Sequence, residues 1–342
     1  MAAGHQEQTN EAPLEPDLLI CDPHHHLRER PNDRYFLEDF VQDTSTGHNI
    51  ASTVCVENRA KYRRDGPEAL KPVGETEFFD SVAAQAAADS NISTLVALAI
   101  VGHADLRLGD RVTPVLEAHL AASPNRFRGI RHSTTWDASE NIRSDAPAGL
   151  LSDSAFRCGF ASLQRYGLSF DAWLYHPQLP ELVDLARAFP NVTIVLDHIG
   201  GPLGVGPYKG KRDEVFQVWS KAIADLSTCP NVTVKLGGFG STRSGYDWHE
   251  RVVRPASAEL ADAMAPYFDF CIEQFGVHRC MFESNFPVDK ASYSYAVIWN
   301  AFKRITQSHS IAERQALFHD TAAVVYRITK RITKTGERQQ AG

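Results

Sequence analysis

The chain has 342 residues, 43% hydrophobic, 10% aromatic and 23% charged, with a formal charge of −7. This composition can bury a large core, argues against extensive disorder, and lacks the basic excess that nucleic-acid binding requires. Its one unusual feature is fourteen histidines, the residue most used as a metal ligand and proton carrier.

Residues 1–16 read as a polar tail, and their opening has no basic stretch followed by an apolar run, so no secretory signal is expected. A single domain is expected over 17–332, with 333–342 as a frayed tail. The first apolar run, 18–22, is a strand that leads into Asp22-Pro23-His24-His25-His26. A helix follows over 35–43. Strands at 51–57, 93–101, 127–132 and 168–175 are then separated by helical patterns over 75–89, 111–122 and 152–166. Helices at 179–189, 212–226 and 257–275 alternate with strands at 192–197, 232–236 and 279–285, and a last helical pattern starts at 293. Two of the late strands share one turn: Pro190-Asn191 and Pro230-Asn231 each precede a Val-Thr start.

The strand runs are almost continuously apolar, as parallel strands covered on both faces should be. Eight β–α units without a flexible linker predict an α/β fold, a (β/α)₈ TIM barrel with rim insertions at 58–73, 134–151 and 239–256. A doubly wound sheet would need a glycine fingerprint after its first strand, where this chain has histidines. No run approaches ~18 consecutive apolar residues, so no membrane span is expected. Six cysteines without a C-x-x-C pair read as free thiols, and the protein as cytoplasmic.

In such a barrel the chemistry lies where the strands end. Those ends carry His24 and His26, Glu57, His103 and Asp105, Arg131 and His132, His176, Asp197 and His198, Lys235, and Glu283-Ser284-Asn285. His24 and His26 are two apart, so both face the barrel mouth while His25 faces away. Joined by His176 and His198, they could offer neutral imidazoles to a zinc ion. Arg131 and Lys235, with His132, are candidates to hold an anionic substrate, and Tyr175, Trp136, Trp248 and Phe286 to wall a pocket. Asp22 is placed to orient one imidazole. There is no nucleophile elbow, H-E-x-x-H or phosphate-binding loop.

The segments CDPHHHL, LSFDAWLYHPQL, VLDHIGGP and RCMFESNFPVD, in this order at strand ends, resemble the amidohydrolase superfamily. They are most similar to its amidohydrolase-2 branch, which holds sugar-acid lactonases and 2-pyrone-4,6-dicarboxylate lactonase. The resemblance implies a (β/α)₈ hydrolase in which water attacks an ester, lactone or amide carbonyl. It assigns the H-x-H pair to His24 and His26, and the later histidine to His176 or His198. One divalent metal on His24, His26 and His198, or none, is implied. The branch's aspartate after strand 8 is Asn285 here, and an amide cannot act as a general base. Glu283 lies two residues earlier, and Asp289 just beyond. Either carboxylate could replace the missing one.

The expected function is therefore the opening of a small carboxylated lactone or cyclic ester. Decarboxylation of an aromatic acid, or a non-catalytic barrel binding a small acid, are the alternatives. A small anionic substrate is the expected partner, with neither nucleic acid nor membrane, and a homo-oligomer is left open.

Overall fold

The computed structural model describes residues 9–30 and 33–328. Its strands are β1 (Leu19–His25), β2 (Arg28–Arg30), β3 (Asp33–Tyr35), β4 (Asn49–Val56), β5 (Leu95–Gly102), β6 (Phe127–Arg131), β7 (Ser169–Ala172), β8 (Ile194–Leu196), β9 (Val232–Leu236) and β10 (Cys280–Phe282). The major helices are α1 (Leu37–Thr44), α2 (Val73–Ala88), α3 (Thr113–Ala122), α4 (Ser154–Tyr166), α5 (Leu179–Ala188), α6 (Arg212–Ser227), α7 (Ser257–Phe275) and α8 (Tyr295–Ile305). Capping sets their ends. In α4, Asp153 accepts from the Phe156 amide at 2.8 Å, and Gly167 closes the helix at φ 59°.

Eight strands run in the order β1-β4-β5-β6-β7-β8-β9-β10, every neighbouring pair parallel. The ring closes just past the last strand. His26 N donates to Phe286 O at 2.8 Å, and Asn285 N to His24 O at 3.0 Å. This is the expected (β/α)₈ barrel. The short β2–β3 hairpin was not foreseen. The rim insertions carry only short 3₁₀ turns, such as Thr242–Ser244 and Trp248–Glu250.

One apolar core fills the space between strands and helices, and a second fills the lower barrel. The inner one comprises Cys21, Val54, Val56, Ala99, Val101, Val195 and Met281, closed from below by Ala322 and Tyr326 near the end of the described chain. All six cysteines are free, five of them buried. Among the described residues no helix is long and apolar enough to cross a membrane.

The described part of the expected polar tail is bound to α8. Buried Asn300 and Lys303 on α8 require partners, and the segment before β1 supplies them. Asn300 accepts from Leu14 N at 2.7 Å and donates to Ala12 O and Glu11, and Lys303 Nζ donates to the carbonyls of Leu14 and Glu15. The expected tail at 333–342 and the domain end at 332 lie outside the described residues.

Candidate active site

β1 delivers His24 and His26 to the mouth as parity predicts, although a register shift between Asp22 and His25 interrupts the ladder. Their Nε2 atoms are 3.2 Å apart, and His26 Nδ1 bonds Val56 O at 2.8 Å. His25 faces outward, stacked on Phe40 and bonded to Thr53. Asp22 orients no imidazole. Its carboxylate accepts from Ser284 N, Ser284 Oγ and Tyr295 Oη, fixing the closure between β1 and β10.

His198 follows β8 in a tight turn with its own φ at 54°, a costly conformation for a residue with a side chain. The turn aims its ring at Glu283: Nδ1 lies 2.6 Å from Oε1, which also accepts the His198 amide at 3.1 Å. Glu283 Oε2 lies 2.8 Å from His24 Nδ1. One fully buried carboxylate thus lies against two imidazoles and hydrogen-bonds His198. Two glycines after β9 make room for the pair. A Cβ on Gly237 would come 2.4 Å from Glu283 Cγ, and one on Gly238 2.5 Å from His198 Cγ.

The electrostatics follow from these contacts. Burial raises the Glu283 carboxyl, but the His198 and His24 rings outweigh it and hold it down at about 2. Burial lowers His198 despite Glu283, which favours a neutral ring. Burial and Lys235 push His24 down, yet Asp197 and Glu283 prevail and raise it.

Arg131 and Lys235 are not open to the mouth, contrary to expectation. Lys235 Nζ donates to Asp171 at 2.6 Å and Asp197 at 3.0 Å, and lies 3.1 Å from His24 Nδ1. Arg131 Nε donates to Glu57 at 2.8 Å, and its Nη1 reaches Asp197 at 3.4 Å and His24 Nε2 at 3.2 Å. Three carboxylates, Glu57, Asp171 and Asp197, would be unpaired in the barrel without partners, and these cations serve them.

His176 and His132 do not join the group. His176 Nδ1 accepts from Leu203 N at 3.3 Å beside Tyr208, and burial lowers its pKa to about 4. His132 Nδ1 accepts from Leu106 N and neighbours His103 and Asp105. Asn285, at φ 54°, leaves the strand path, and its Nδ2 donates to Asp289 at 2.8 Å. Asp289 is buried, and besides Asn285 accepts from Gly240 N and Tyr293 Oη. It is thus a clamp on the last strand's exit. Of the proposed walls, Tyr175 lines the opening, together with Trp173, His198, Gly238, Phe239 and Arg243. Trp248 instead stacks on Tyr246, and Phe286 packs on Tyr295. Asp171, Trp173 and Arg243 escaped the sequence reading. An acid inside the apolar run of strand β7 was a usable signal for the first.

A closed parallel barrel with imidazoles and carboxylates converging at the C-terminal mouth is the frame of a (β/α)₈ hydrolase. The sequence matches the family model described as amidohydrolase over residues 21–328, and the chain belongs to that family. It is 36% identical to the uncharacterized protein y4mH of Sinorhizobium fredii, over 91% of this chain and 99% of that one. It is 28% identical to L-fucono-1,5-lactonase of Burkholderia multivorans, over 76% and 85% of the two chains. A solved Burkholderia multivorans amidohydrolase with bound zinc superposes with a TM-score of 0.69 at 25% identity, covering 90% of this chain and 99% of that one.

Amidohydrolases commonly hold a divalent metal, and one group of donors here lies close enough to hold one. Donor atoms of His24, Asp197 and His198 lie within 4.8 Å of one another, close enough to share an ion. Their neighbours do not fit it. Both Asp197 oxygens contact a cation, and each His24 nitrogen has a cation within 3.2 Å, Lys235 on one side and Arg131 on the other. A divalent ion there would have to displace both cations from Asp197 and His24. This donor group shares His24 and His198 with the set expected from sequence and has Asp197 where that set has His26.

Proposed function

We propose that the protein opens a small lactone by attack of water on its carbonyl, with His198 as general base and Glu283 as the residue that positions it. The observation that carries this reading is the 2.6 Å contact between Glu283 and His198 Nδ1, which leaves Nε2 of a ring at the opening as the proton acceptor. Relatives named for L-fucono-1,5-lactone hydrolysis support the reaction class.

In the forward step His198 Nε2 takes a proton from water as its oxygen bonds to the carbonyl carbon. The attack leaves a tetrahedral intermediate with its negative charge on the former carbonyl oxygen. On collapse the bond from carbonyl carbon to ring oxygen breaks, and the proton on His198 passes to that oxygen. The product is a hydroxy acid, whose carboxyl proton goes to solvent. Asn285, its nitrogen held by Asp289, offers Oδ1 as an acceptor that orients water. Glu283 stabilises the imidazolium that forms. It is not itself the base, because both its oxygens face histidines.

Proton release from a panel of five- and six-membered lactones tests this. His198→Ala and Glu283→Gln should each lower kcat by roughly 10²–10⁴ while the circular-dichroism spectrum is retained. A folded His198→Ala variant with unchanged kcat would remove His198 as the base. Failure of every lactone would remove the reaction.

A further inference from the structure

We infer that Arg243 is the carboxylate-recognising residue of this mouth, and that the substrate is a lactone with an apolar ring bearing a carboxylate; this rests on the lactone reading above. With Arg131 and Lys235 spent on Asp171, Asp197 and Glu57, neither is free to receive an anion.

Arg243 is differently placed. It lines the opening with His198, Trp173 and Tyr175, and its guanidinium carbon stands 5.9 Å from the centroid of each of those two aromatic rings. Its charge is met there by rings rather than by an acid. Asp145, the acid that also acts on the Tyr175 phenol, is held by Arg143 at 2.9 Å.

The loop beneath the side chain is fixed. Arg243 O accepts from Gly204 N at 2.8 Å, and Ser241 caps the turn that carries it. A Cβ on Gly204 would lie 2.1 Å from Ser244 O, so the two loops meet at backbone distance. A pre-set, planar guanidinium beside a general base suits bidentate binding of a carboxylate. Trp173, Tyr175 and Phe239 present mainly apolar surface to the rest of the ligand.

The test compares 2-pyrone-5-carboxylate with its methyl ester on the full chain. Arg243→Gln should lower kcat/KM for the carboxylate roughly 10- to 100-fold, mainly through KM, and leave the ester nearly unchanged. Equal losses on both, or on neither, would overturn the assignment. Calorimetric binding of benzoate reads Arg243 independently of turnover. Weakening of at least about tenfold in Arg243→Gln is expected, and unchanged affinity would overturn the proposal even if the lactone reading stands.

Discussion

At the scale of single residues, the departure at strand 8 has a local physical cause. Asn285 Nδ2 donates to Asp289 Oδ1 at 2.8 Å, so an aspartate at 285 would set two carboxylates face to face. Burial already raises Asp289 to about 7, despite the donors that lower it. Asn285→Asp should therefore destabilise the protein by about 1–3 kcal/mol at pH 8. The pair's raised pKa means the folded form retains a proton the unfolded chain gives up, so the loss grows with rising pH and shrinks towards pH 5. Urea denaturation at pH 5 and pH 8 checks this, and equal losses at both would count against the clamp. His24, His26, His198 and Glu283 were legible as a group because strand parity and strand ends place them. The roles of Arg131 and Lys235 were not, because sequence shows a cation at a strand end but not which acid reaches it. Arg243 lies in a rim loop with no periodicity to read.

At the scale of elements, eight strands and eight helices were legible from apolar runs and their stops. Strand ends were less so. β7 stops at Ala172 and β10 at Phe282, earlier than their apolar patterns, because Trp173 O turns to accept Thr134 N and Asp22 captures Ser284. His119 on α3 shows how helices lock onto the barrel. It bonds Thr76 on α2 at 2.8 Å and His103 O beyond β5 at 3.0 Å, and stacks on Phe127 of β6. Burial lowers its pKa to about 4, against about 6.5 for a free histidine. A depressed folded pKa contributes stability that is complete above about pH 6.5 and is lost as pH falls towards 4. Wild type should thus exceed His119→Gln in Tm at pH 7.5, and lose that advantage by pH 4. An advantage constant with pH would contradict the neutral, buried state of His119.

At the scale of the whole molecule, the barrel is layered: a plug, an ion-paired floor, and a mouth. Tyr326 enters from below and donates to Asp171 Oδ2 at 2.7 Å, the oxygen that also binds Lys235. The end of the described chain is thereby tied to the ion-paired floor. Tyr326→Phe should cost about 1–3 kcal/mol by leaving a buried carboxylate short of a donor, as denaturant titration would measure; no change would mean Lys235 alone satisfies Asp171. The histidine surplus divides into a cluster at the mouth, His24, His26 and His198, and several packed rings such as His25 and His119.

The central claim is that side chains, with His198 as the proposed base, perform the hydrolysis without an ion. The most direct measurement is lactone turnover by chelator-treated protein whose metal content is fixed by elemental analysis. Full activity with far less than one metal per chain is predicted. Activity lost on chelation and restored by one equivalent of zinc would contradict the account.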